Sequence, residues 1–317
     1  MKKGKIAIIG AGSVGATLAY NLSLKHIVSE MVLIDLDTKR AEAEILDIVQ
    51  GAPLGGVKNI YSGGYEECRD AEIVVVTAGA KQRPGETRID LLNRNVSIMK
   101  GIARSVKETG FSGILLIISN PVDILTYVAW RETGFDLSRV IGSGTVLDSS
   151  RLKAYLSRMC GVNPINIHGY VLGEHGDTSF PAWSLITIGG VSLKDFCATC
   201  GRGCDWSKLV KEASDYVHRA AYQIIEAKGS TYYAVAQAVS VIIGAIVRDE
   251  KRILPVSTIK ENFMEIKYTV FSFPSILGER GVEKVLRVNL SSEEEDLLYK
   301  SASFIAKNIE ECCPQGA

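Results

Sequence analysis

Short apolar runs alternate with longer amphipathic segments through the first half of the chain. Four runs rich in Ile and Val are too short for helices and predict β-strands. They span residues 5–9, 31–34, 73–77 and 114–119. Between them, apolar residues recur every three or four positions, as in helices, at 13–25, 39–50 and 87–109. Because strands that are apolar along their whole length are buried on both faces, this alternation predicts an α/β domain with a doubly wound parallel sheet.

The pattern changes after Gly142. Apolar and polar side chains alternate, as in antiparallel strands with one exposed face, at 165–171 and 268–273. Helical periods follow at 206–227, 232–249 and from Ser291 towards Glu311. In a chain of 317 residues, these patterns predict two domains: an α/β domain at residues 1–143 and an α+β domain at residues 144–317.

The charges of the chain balance, with 36 Lys and Arg against 36 Asp and Glu. Nucleic-acid-binding proteins usually carry a basic excess, so nucleic acid is not expected as a partner. The most apolar helical segment, 232–247, contains Gln237 and Ser240 and falls short of the roughly 18 apolar residues that span a bilayer. No membrane association is therefore expected. The basic N-terminus also lacks the apolar stretch and cleavage site of a secretory signal.

The seven cysteines are an odd number in a long chain without an export signal. This usage favours reduced thiols in a cytoplasm and no disulfide framework. Cys197, Cys200 and Cys204 could hold zinc if a fourth ligand approached, and the Cys312–Cys313 pair could offer one. A surface loop with no metal is the favoured interpretation, because short motifs are often incidental.

Gly10, Gly12 and Gly15 form a G-x-G-x-x-G motif between the first predicted strand and the first predicted helix. In this context main-chain N–H groups and a helix N-terminus can face a pyrophosphate, so the motif predicts a Rossmann-type dinucleotide site. Asp35 ends the second predicted strand, where a carboxylate can bind both ribose hydroxyls of the adenosine half. Its charge would repel the 2′-phosphate of NADP, so NAD is the expected cofactor. A tight turn followed by a solvent-facing aspartate is the alternative.

Four further segments together resemble the L-lactate/malate dehydrogenase family. They are TAGAKQRPGETR (77–88), SNPVD (119–123), GTVLDSSR (144–151) and GEHGD (173–177). The resemblance covers nearly the whole chain, with the segments in the expected order. It implies NAD-dependent hydride transfer to and from a 2-hydroxy acid, with pyruvate/L-lactate as the substrate pair and a homo-oligomer, a tetramer, as the assembly. A malate enzyme of the same fold and a non-catalytic NAD-sensing protein are the alternatives.

The resemblance also assigns the reacting groups. His175 would exchange a proton with the substrate oxygen, which suits an imidazole because its ordinary pKa, about 6.5, lies near neutral pH. Asp148 would accept a hydrogen bond from the other ring nitrogen; alternatively, it caps a helix that starts near Ser149. Arg88 follows the segment 84–85, which is expected to close over the substrate and bring the guanidinium to the carbonyl. An exposed arginine at a helix N-terminus is the alternative for Arg88.

Four residues are expected to bind the substrate. Arg151 would hold its carboxylate with a two-pronged fork, unless it forms only a surface salt bridge. Asn120 would donate a hydrogen bond to the substrate oxygen, unless it is a simple turn residue. Thr231 would narrow the pocket.

Gln82, the fourth, matches the position where malate enzymes of the family carry arginine. A second substrate carboxylate would be buried there without a cation, so pyruvate is favoured. A one-residue shift of the loop would instead present Arg83.

Other positions match cofactor contacts of the family. They are Val14, Arg40, Tyr65, Gly79, Ala80, Ser119, Asn120 and Ser143. Lys153 and His168 match two basic residues that bind fructose 1,6-bisphosphate across a subunit interface in one bacterial branch. Lysine stands where arginine is usual and lacks its fork, so activation is expected to be weak or absent. A merely structural histidine on a strand face is the alternative.

Overall fold

A computed structural model describes residues 4–54, 59–81 and 85–313, apart from the side chain of Arg88. Six parallel strands make up one side of its main sheet: β1 (Lys5–Ile9), β2 (Glu30–Ile34), β3 (Asn59–Ser62), β4 (Ile73–Val76), β5 (Ile114–Ile117) and β6 (Val140–Gly142). They lie in the order β3-β2-β1-β4-β5-β6. This is the strand order of a doubly wound dinucleotide-binding domain, so the predicted fold class is confirmed.

Helices cover both faces of the parallel strands. They are α1 (Ser13–Lys25), α2 (Thr38–Gly51), α3 (Arg88–Glu108) and α4 (Val122–Thr133). Ile8 of β1 belongs to the same buried cluster as Leu18 of α1. The next residue of the strand, Ile9, points the other way and belongs to the cluster of Met99 in α3. Burial of successive side chains on opposite faces explains why these strands are apolar along their whole length.

The second half adds helices, short strands and an antiparallel extension of the sheet. In chain order these are α5 (Val146–Cys160), β7 (Ile167–His168), β8 (Val171–Leu172), β9 (Phe180–Pro181), β10 (Thr187–Ile188), β11 (Val191–Ser192), α6 (Leu193–Thr199), α7 (Trp206–Lys228), α8 (Tyr233–Val247), β12 (Arg252–Phe263), β13 (Ile266–Gly278), β14 (Gly281–Val285) and α9 (Ser292–Cys312). Ser257 of β12 pairs with Gly142 of β6, so β12, β13 and β14 continue the parallel sheet. The two halves therefore share one sheet.

The expected strand at 165–171 is wrong as a single element. Residues 164–166 form a short 3₁₀ turn, and only β7 and β8 are extended. β7 pairs with β10, whereas β8 pairs with β9 in a different small sheet. Alternation of side chains shows that a segment is extended, but it cannot show that the chain changes its pairing partner halfway.

The expectations of reduced thiols throughout and of a loop around Cys197 are also corrected. Cys197 lies in α6 and forms a disulfide with Cys204, just before α7. The other five cysteines are free thiols. After α6 the chain turns back, so that Cys204 reaches Cys197. The spacing of the cysteines in the sequence does not reveal this approach. No helix among the described residues is long and apolar enough to cross a bilayer.

Candidate active site

The glycine motif forms a tight turn between β1 and α1. Gly10 has φ +114°, and a Cβ there would lie 2.7 Å from the main-chain nitrogen of Ala78. A Cβ on Gly15 would collide with the carbonyl oxygen of Gly10. Beside Gly12, by contrast, the described residues leave open space within 4 Å of such a Cβ. Gly10 and Gly15 thus permit the close turn and the packing of helix on strand, and Gly12 leaves room for a phosphate.

The N-terminus of α1 suits an anion. Gly12 is the N-cap and provides no side-chain hydrogen bond to the first turn. The first N–H groups of a helix have no partner within the helix, and they carry the positive end of its dipole. The turn and the helix end therefore fit the pyrophosphate of NAD, which would be held by main-chain N–H groups of this chain.

Asp35 is fixed at the carboxyl end of β2. Its Oδ2 accepts a hydrogen bond from the main-chain nitrogen of Ala11 at 2.6 Å, and its Oδ1 accepts one from that of Asp37 at 2.9 Å. The carboxylate is half-buried next to the glycine turn. This is the position expected for a group that binds the adenosine ribose.

Most of the other expected cofactor residues lie at the same edge of the sheet, where the strands end. Gly79 and Ala80 follow β4, Ser119 and Asn120 follow β5, and Ser143 follows β6. Ligands of doubly wound sheets bind outside the carboxyl ends of the strands, where the strand order reverses. Three expected contacts come from helices instead: Val14 lies in α1, Arg40 in α2 and Tyr65 in a 3₁₀ turn after β3.

His175 lies on the loop between β8 and β9, next to two charged groups. Its Nδ1 is 2.7 Å from Oδ2 of Asp148, and Nη1 of Arg151 donates to Oδ1 of the same carboxylate at 2.8 Å. The side chains of Arg151 and Asp148 are only 12% and 9% exposed, so their ion pair is not a surface salt bridge. The structure thus joins three residues that the sequence places in two separate segments.

Asp148 does not cap its helix. The N-cap of α5 is Thr145, and Asp148 lies in the first turn. Burial opposes ionisation of this carboxyl, but the charge of His175, the hydrogen bond from it and the Arg151 guanidinium outweigh that effect and lower the pKa of Asp148. The carboxylate is therefore held ionised against the imidazole.

The electrostatics favour a protonated His175. Burial of the ring disfavours its charged form, but the charge of Asp148 and the hydrogen bond to it, with a smaller effect from Asp123, raise the pKa of His175 to about 9. Nδ1 is engaged by Asp148, and Nε2 makes no hydrogen bond to any described residue. The ring can therefore exchange a proton with a bound molecule through Nε2.

The structure describes the expected substrate residues other than Arg151 to different extents. Gln82 and Arg83 lie outside the described residues, and for Arg88 only the backbone, at the start of α3, is described. Thr231 lies in the link between α7 and α8 and is partly buried. The side chain of Asn120 is exposed at the end of β5.

Two residues without a sequence-based role hold the site together. Asn95 is a buried polar residue in α3; its Oδ1 accepts from Ala80 N at 2.8 Å and its Nδ2 donates to Asn120 O at 3.2 Å. It therefore ties the loop after β4 to the loop after β5. Asp123, in the first turn of α4, accepts a hydrogen bond from the main-chain nitrogen of His175 at 2.7 Å. Nothing in the sequence distinguishes Asn95, whereas Asp123 ends the SNPVD segment (119–123) but was assigned no role there.

No group of His, Cys, Asp and Glu side chains in the described parts of the chain could hold a metal ion. Cys197 and Cys204, two of the three closely spaced cysteines, are consumed by their disulfide. A disulfide sulfur is not the thiolate that zinc requires, which removes the basis of the zinc alternative.

The fold and this site define an NAD-binding oxidoreductase, and comparison with known families gives its class. The chain matches the description "lactate/malate dehydrogenase, NAD binding domain" at residues 4–142 and "lactate/malate dehydrogenase, alpha/beta C-terminal domain" at residues 145–314. It belongs to the lactate/malate dehydrogenase family. As a member it is an NAD-dependent enzyme, and the alternative of a non-catalytic NAD sensor is set aside.

Individual relatives narrow the class. The chain is 46% identical over 307 residues to an L-lactate dehydrogenase of Thermoanaerobacterium saccharolyticum, covering 97% of this chain and 98% of that one. It is 45% identical over 314 residues to an L-lactate dehydrogenase of Treponema denticola, covering 98% of both.

Solved structures agree. A lactate dehydrogenase from a Medee basin deep-sea metagenome library, MGS-M5, superposes with a TM-score of 0.95 at 38% identity, over 98% of this chain and 99% of that one. The minor L-lactate dehydrogenase of Enterococcus mundtii superposes with a TM-score of 0.93 at 37% identity, with the same coverage of both chains.

Proposed function

We propose that this enzyme interconverts pyruvate and L-lactate, with NADH and NAD⁺ as the hydride donor and acceptor. The observation that carries the proposal is the hydrogen-bonded series Arg151, Asp148 and His175, which leaves Nε2 of the imidazole available. Asp123, which accepts a hydrogen bond from the main-chain nitrogen of His175, follows Asn120 by three residues after the carboxyl end of β5, and this supports a site at that edge of the sheet. The relatives that carry the name L-lactate dehydrogenase support the choice of substrate.

His175 handles the proton of the reaction. When bound, NADH supplies the hydride to C2 of pyruvate. The protonated imidazole donates a hydrogen bond from Nε2 to the C2 carbonyl oxygen and gives up this proton as negative charge develops there. Asp148 stabilises the imidazolium before transfer and keeps the ring oriented. In lactate oxidation the neutral ring takes the hydroxyl proton instead.

Charged and polar groups orient the substrate. Asp148 engages only one of the terminal nitrogens of Arg151. The other donors of the guanidinium can therefore hold the substrate carboxylate, and the ion pair fixes its direction. Arg88 polarises the carbonyl when the segment before α3 closes, and Asn120 donates a hydrogen bond to the same oxygen.

Gln82 and Thr231 decide what fits beyond C2. The neutral amide of Gln82 is compatible with the methyl group of pyruvate. The second carboxylate of oxaloacetate would instead lose its solvation there without a compensating cation. The same reasoning keeps malate as the less favoured alternative.

The activity is tested by following NADH oxidation with pyruvate and by measuring the L-lactate formed with a stereospecific assay. The matched control is His175→Gln, which keeps a polar side chain and removes the proton exchanger. Turnover to L-lactate by the wild type, with a loss of roughly 10³-fold or more in the variant, is the expected result. A wild type that does not convert pyruvate would refute the proposal.

Lys153 and His168 are proposed as an anion site for fructose 1,6-bisphosphate. Lys153 is half-buried, and burial together with the positive charge of Arg252 lowers its pKa, as expected where cations converge. His168 is exposed on β7. Saturation curves for pyruvate with and without the sugar bisphosphate test the site, and identical curves would count against it.

A cytoplasmic homotetramer is proposed as the working form. Apolar side chains are exposed on α1 and α2, among them Tyr20, Leu24 and Leu46 at 54%, 54% and 61%, which supports burial against another copy. The free thiols of five cysteines support a reducing compartment, whereas the Cys197–Cys204 disulfide argues against it. Light scattering coupled to size-exclusion chromatography measures the number of subunits directly.

A further inference from the structure

An apolar cleft of about 480 Å³ lies between the β12–β13 hairpin, the chain at the end of β14 and the turn before β6. Lys260, Glu261 and Arg287 are the charged residues that line it, and we call it the Lys260 cleft. Most of its wall is formed by apolar side chains, among them Leu137, Phe263, Phe271, Phe273, Val285 and Leu286. A concave, largely apolar surface of this size with few polar groups is typical of a small-molecule site.

The Lys260 cleft lies away from the candidate active site. β12 runs antiparallel to β6, and its Ser257 pairs with Gly142, the last residue of β6. Lys260 lies further along β12, and therefore towards the end of the sheet at which β6 begins. Leu137, in the turn that leads into β6, lines the cleft at this end. Because the expected cofactor residues follow the opposite, carboxyl ends of the parallel strands, the cleft is not part of their site.

Lys260 carries a half-buried amine without a counter-ion. Its Nζ lies 5.5 Å from the centroid of the Phe271 ring, and no described residue accepts a hydrogen bond from it or forms an ion pair with it. Burial alone lowers the pKa of Lys260 to about 8; neither Glu261 nor Arg287 adds to this effect. A phenyl ring compensates a positive charge only in part, so the ammonium form would be stabilised by a bound anion.

The chemistry of the wall selects an amphipathic anion. The Lys260 ammonium matches a single negative charge, and the phenyl rings and aliphatic side chains match an apolar body, from which each buried methylene adds affinity. A sugar phosphate would bring more charge and more hydroxyl groups than this wall can pair. An apolar molecule without a charge would leave the ammonium group unpaired. A carboxylate with an apolar chain satisfies both parts of the cleft.

We propose that the Lys260 cleft binds a free monocarboxylate with an apolar chain, whose carboxylate pairs with the Lys260 ammonium and whose chain lies against Phe263, Phe271 and Phe273. The site is separate from the pyruvate site, and the proposal does not rest on the proposed function. Binding needs the protonated amine, so affinity is constant well below pH 8 and falls as pH rises through the pKa of Lys260. Glu261 and Arg287 are the other charged groups that face the bound molecule.

Isothermal titration calorimetry with decanoate, below the concentration at which it forms micelles, tests the proposal. Decanoate is ionised at both pH 7 and pH 9, so the protein alone decides any change in affinity between them. The wild type should bind it saturably, and about tenfold more weakly at pH 9, where most of the amine is neutral. Lys260→Arg keeps its charge at both pH values and should bind decanoate equally at both. Decanol, which has the same chain without the charge, should bind the wild type at least about tenfold more weakly than decanoate at pH 7.

Lys260→Met removes the charge and keeps an unbranched stem, so its affinity for decanoate at pH 7 should be at least about tenfold lower than that of the wild type. The matched control is Lys267→Met, which should bind as the wild type does. Lys267 is an exposed lysine outside the cleft, with its Nζ 5.7 Å from the Tyr268 ring.

Two results would overturn the proposal. Equal affinities of the wild type and Lys260→Met would place the carboxylate elsewhere, such as at Arg151. A wild type that does not bind decanoate, as would follow if another subunit covered the cleft, would also contradict it. If Lys260→Met does not fold, the comparison of the wild type with Lys260→Arg at the two pH values decides, because equal losses of affinity at pH 9 would exclude Lys260 as the partner of the carboxylate.

Discussion

At the residue scale, the site depends on opposite charges that are held close together away from water. Asp148 engages His175 at 2.7 Å and Arg151 at 2.8 Å. Burial makes both contacts stronger than they would be at a surface. Removal of one of these side chains would leave the opposite charge buried without a partner. Even conservative changes here therefore have large effects.

Replacement of Asp148 by asparagine tests this pairing. The variant loses the charge that raises the pKa of His175, so pyruvate reduction should fall by about 10²-fold or more at pH 8 and less at pH 6. The wild type should hold its rate up to about pH 9, the pKa of His175, and decline above it. Rate profiles of both proteins across this range are the measurement. A variant with the wild-type profile would contradict the pairing.

Gln82→Arg tests the specificity assignment. A cation at this position would pair with the second carboxylate of oxaloacetate, so preference should move from pyruvate towards oxaloacetate by orders of magnitude. Arg83→Gln is the control for the neighbouring position and should leave the preference unchanged. Relative kcat/KM values for the two acids that do not change in Gln82→Arg would show that another residue faces the substrate.

At the scale of elements, two glycines in the turn from β1 into α1 have different roles. Gly15 permits close packing of the turn, whereas Gly12 leaves room for the cofactor. Gly15→Ala would place a Cβ against the Gly10 carbonyl, so the melting temperature should fall by several degrees. Gly12→Ala meets open space in the described residues, so stability should be kept while KM for NADH rises about tenfold. Thermal melts and NADH saturation curves separate the two effects. Equal loss of stability in both variants would contradict this division.

The sequence was most informative where burial is complete. β1, β4 and β5 are continuous apolar runs and were predicted within two residues, because a strand buried on both faces tolerates little else. β3, with the sequence NIYS, and β6, with three residues, lack this signal. The break between β7 and β8 and the disulfide of α6 depend on chain reversals that no local pattern encodes.

The same limit applies within the site. His175 and Asp148 stand in recognisable segments, and the structure brings them into hydrogen-bond contact. Asn95 and Asp123 were missed because their roles are hydrogen bonds to main-chain atoms of distant segments. Asn95 lies in the helix predicted at 87–109, where a polar residue is usually exposed, and no helix was predicted around Asp123, so only the structure shows that these two are buried.

At the scale of the whole molecule, the two halves are continuous rather than merely adjacent. Ser257 pairs with Gly142 across the β6–β12 boundary, and α8 of the second half packs on α1 of the first. Asp123 and His175 add a partly buried hydrogen bond across the same boundary. Contacts of this kind make the halves depend on each other for stability.

Calorimetry tests this dependence. The protein should unfold in one transition, with equal calorimetric and van't Hoff enthalpies per cooperative unit. The pKa of His175 is higher in the folded protein, so its contribution to stability, on the order of 3 kcal/mol, is complete below about pH 6.5 and is lost as pH rises through about 9. Two separate transitions would contradict the dependence of the halves on each other. Stability that does not decline in alkali would contradict the raised pKa of His175.

A side-by-side comparison of kcat/KM for pyruvate and oxaloacetate with NADH tests most directly whether the part of the pocket beyond C2 lacks a cation. We predict a preference for pyruvate of at least about 10²-fold, from the uncompensated burial of a second carboxylate. Equal use of the two acids, or a preference for oxaloacetate, would contradict it.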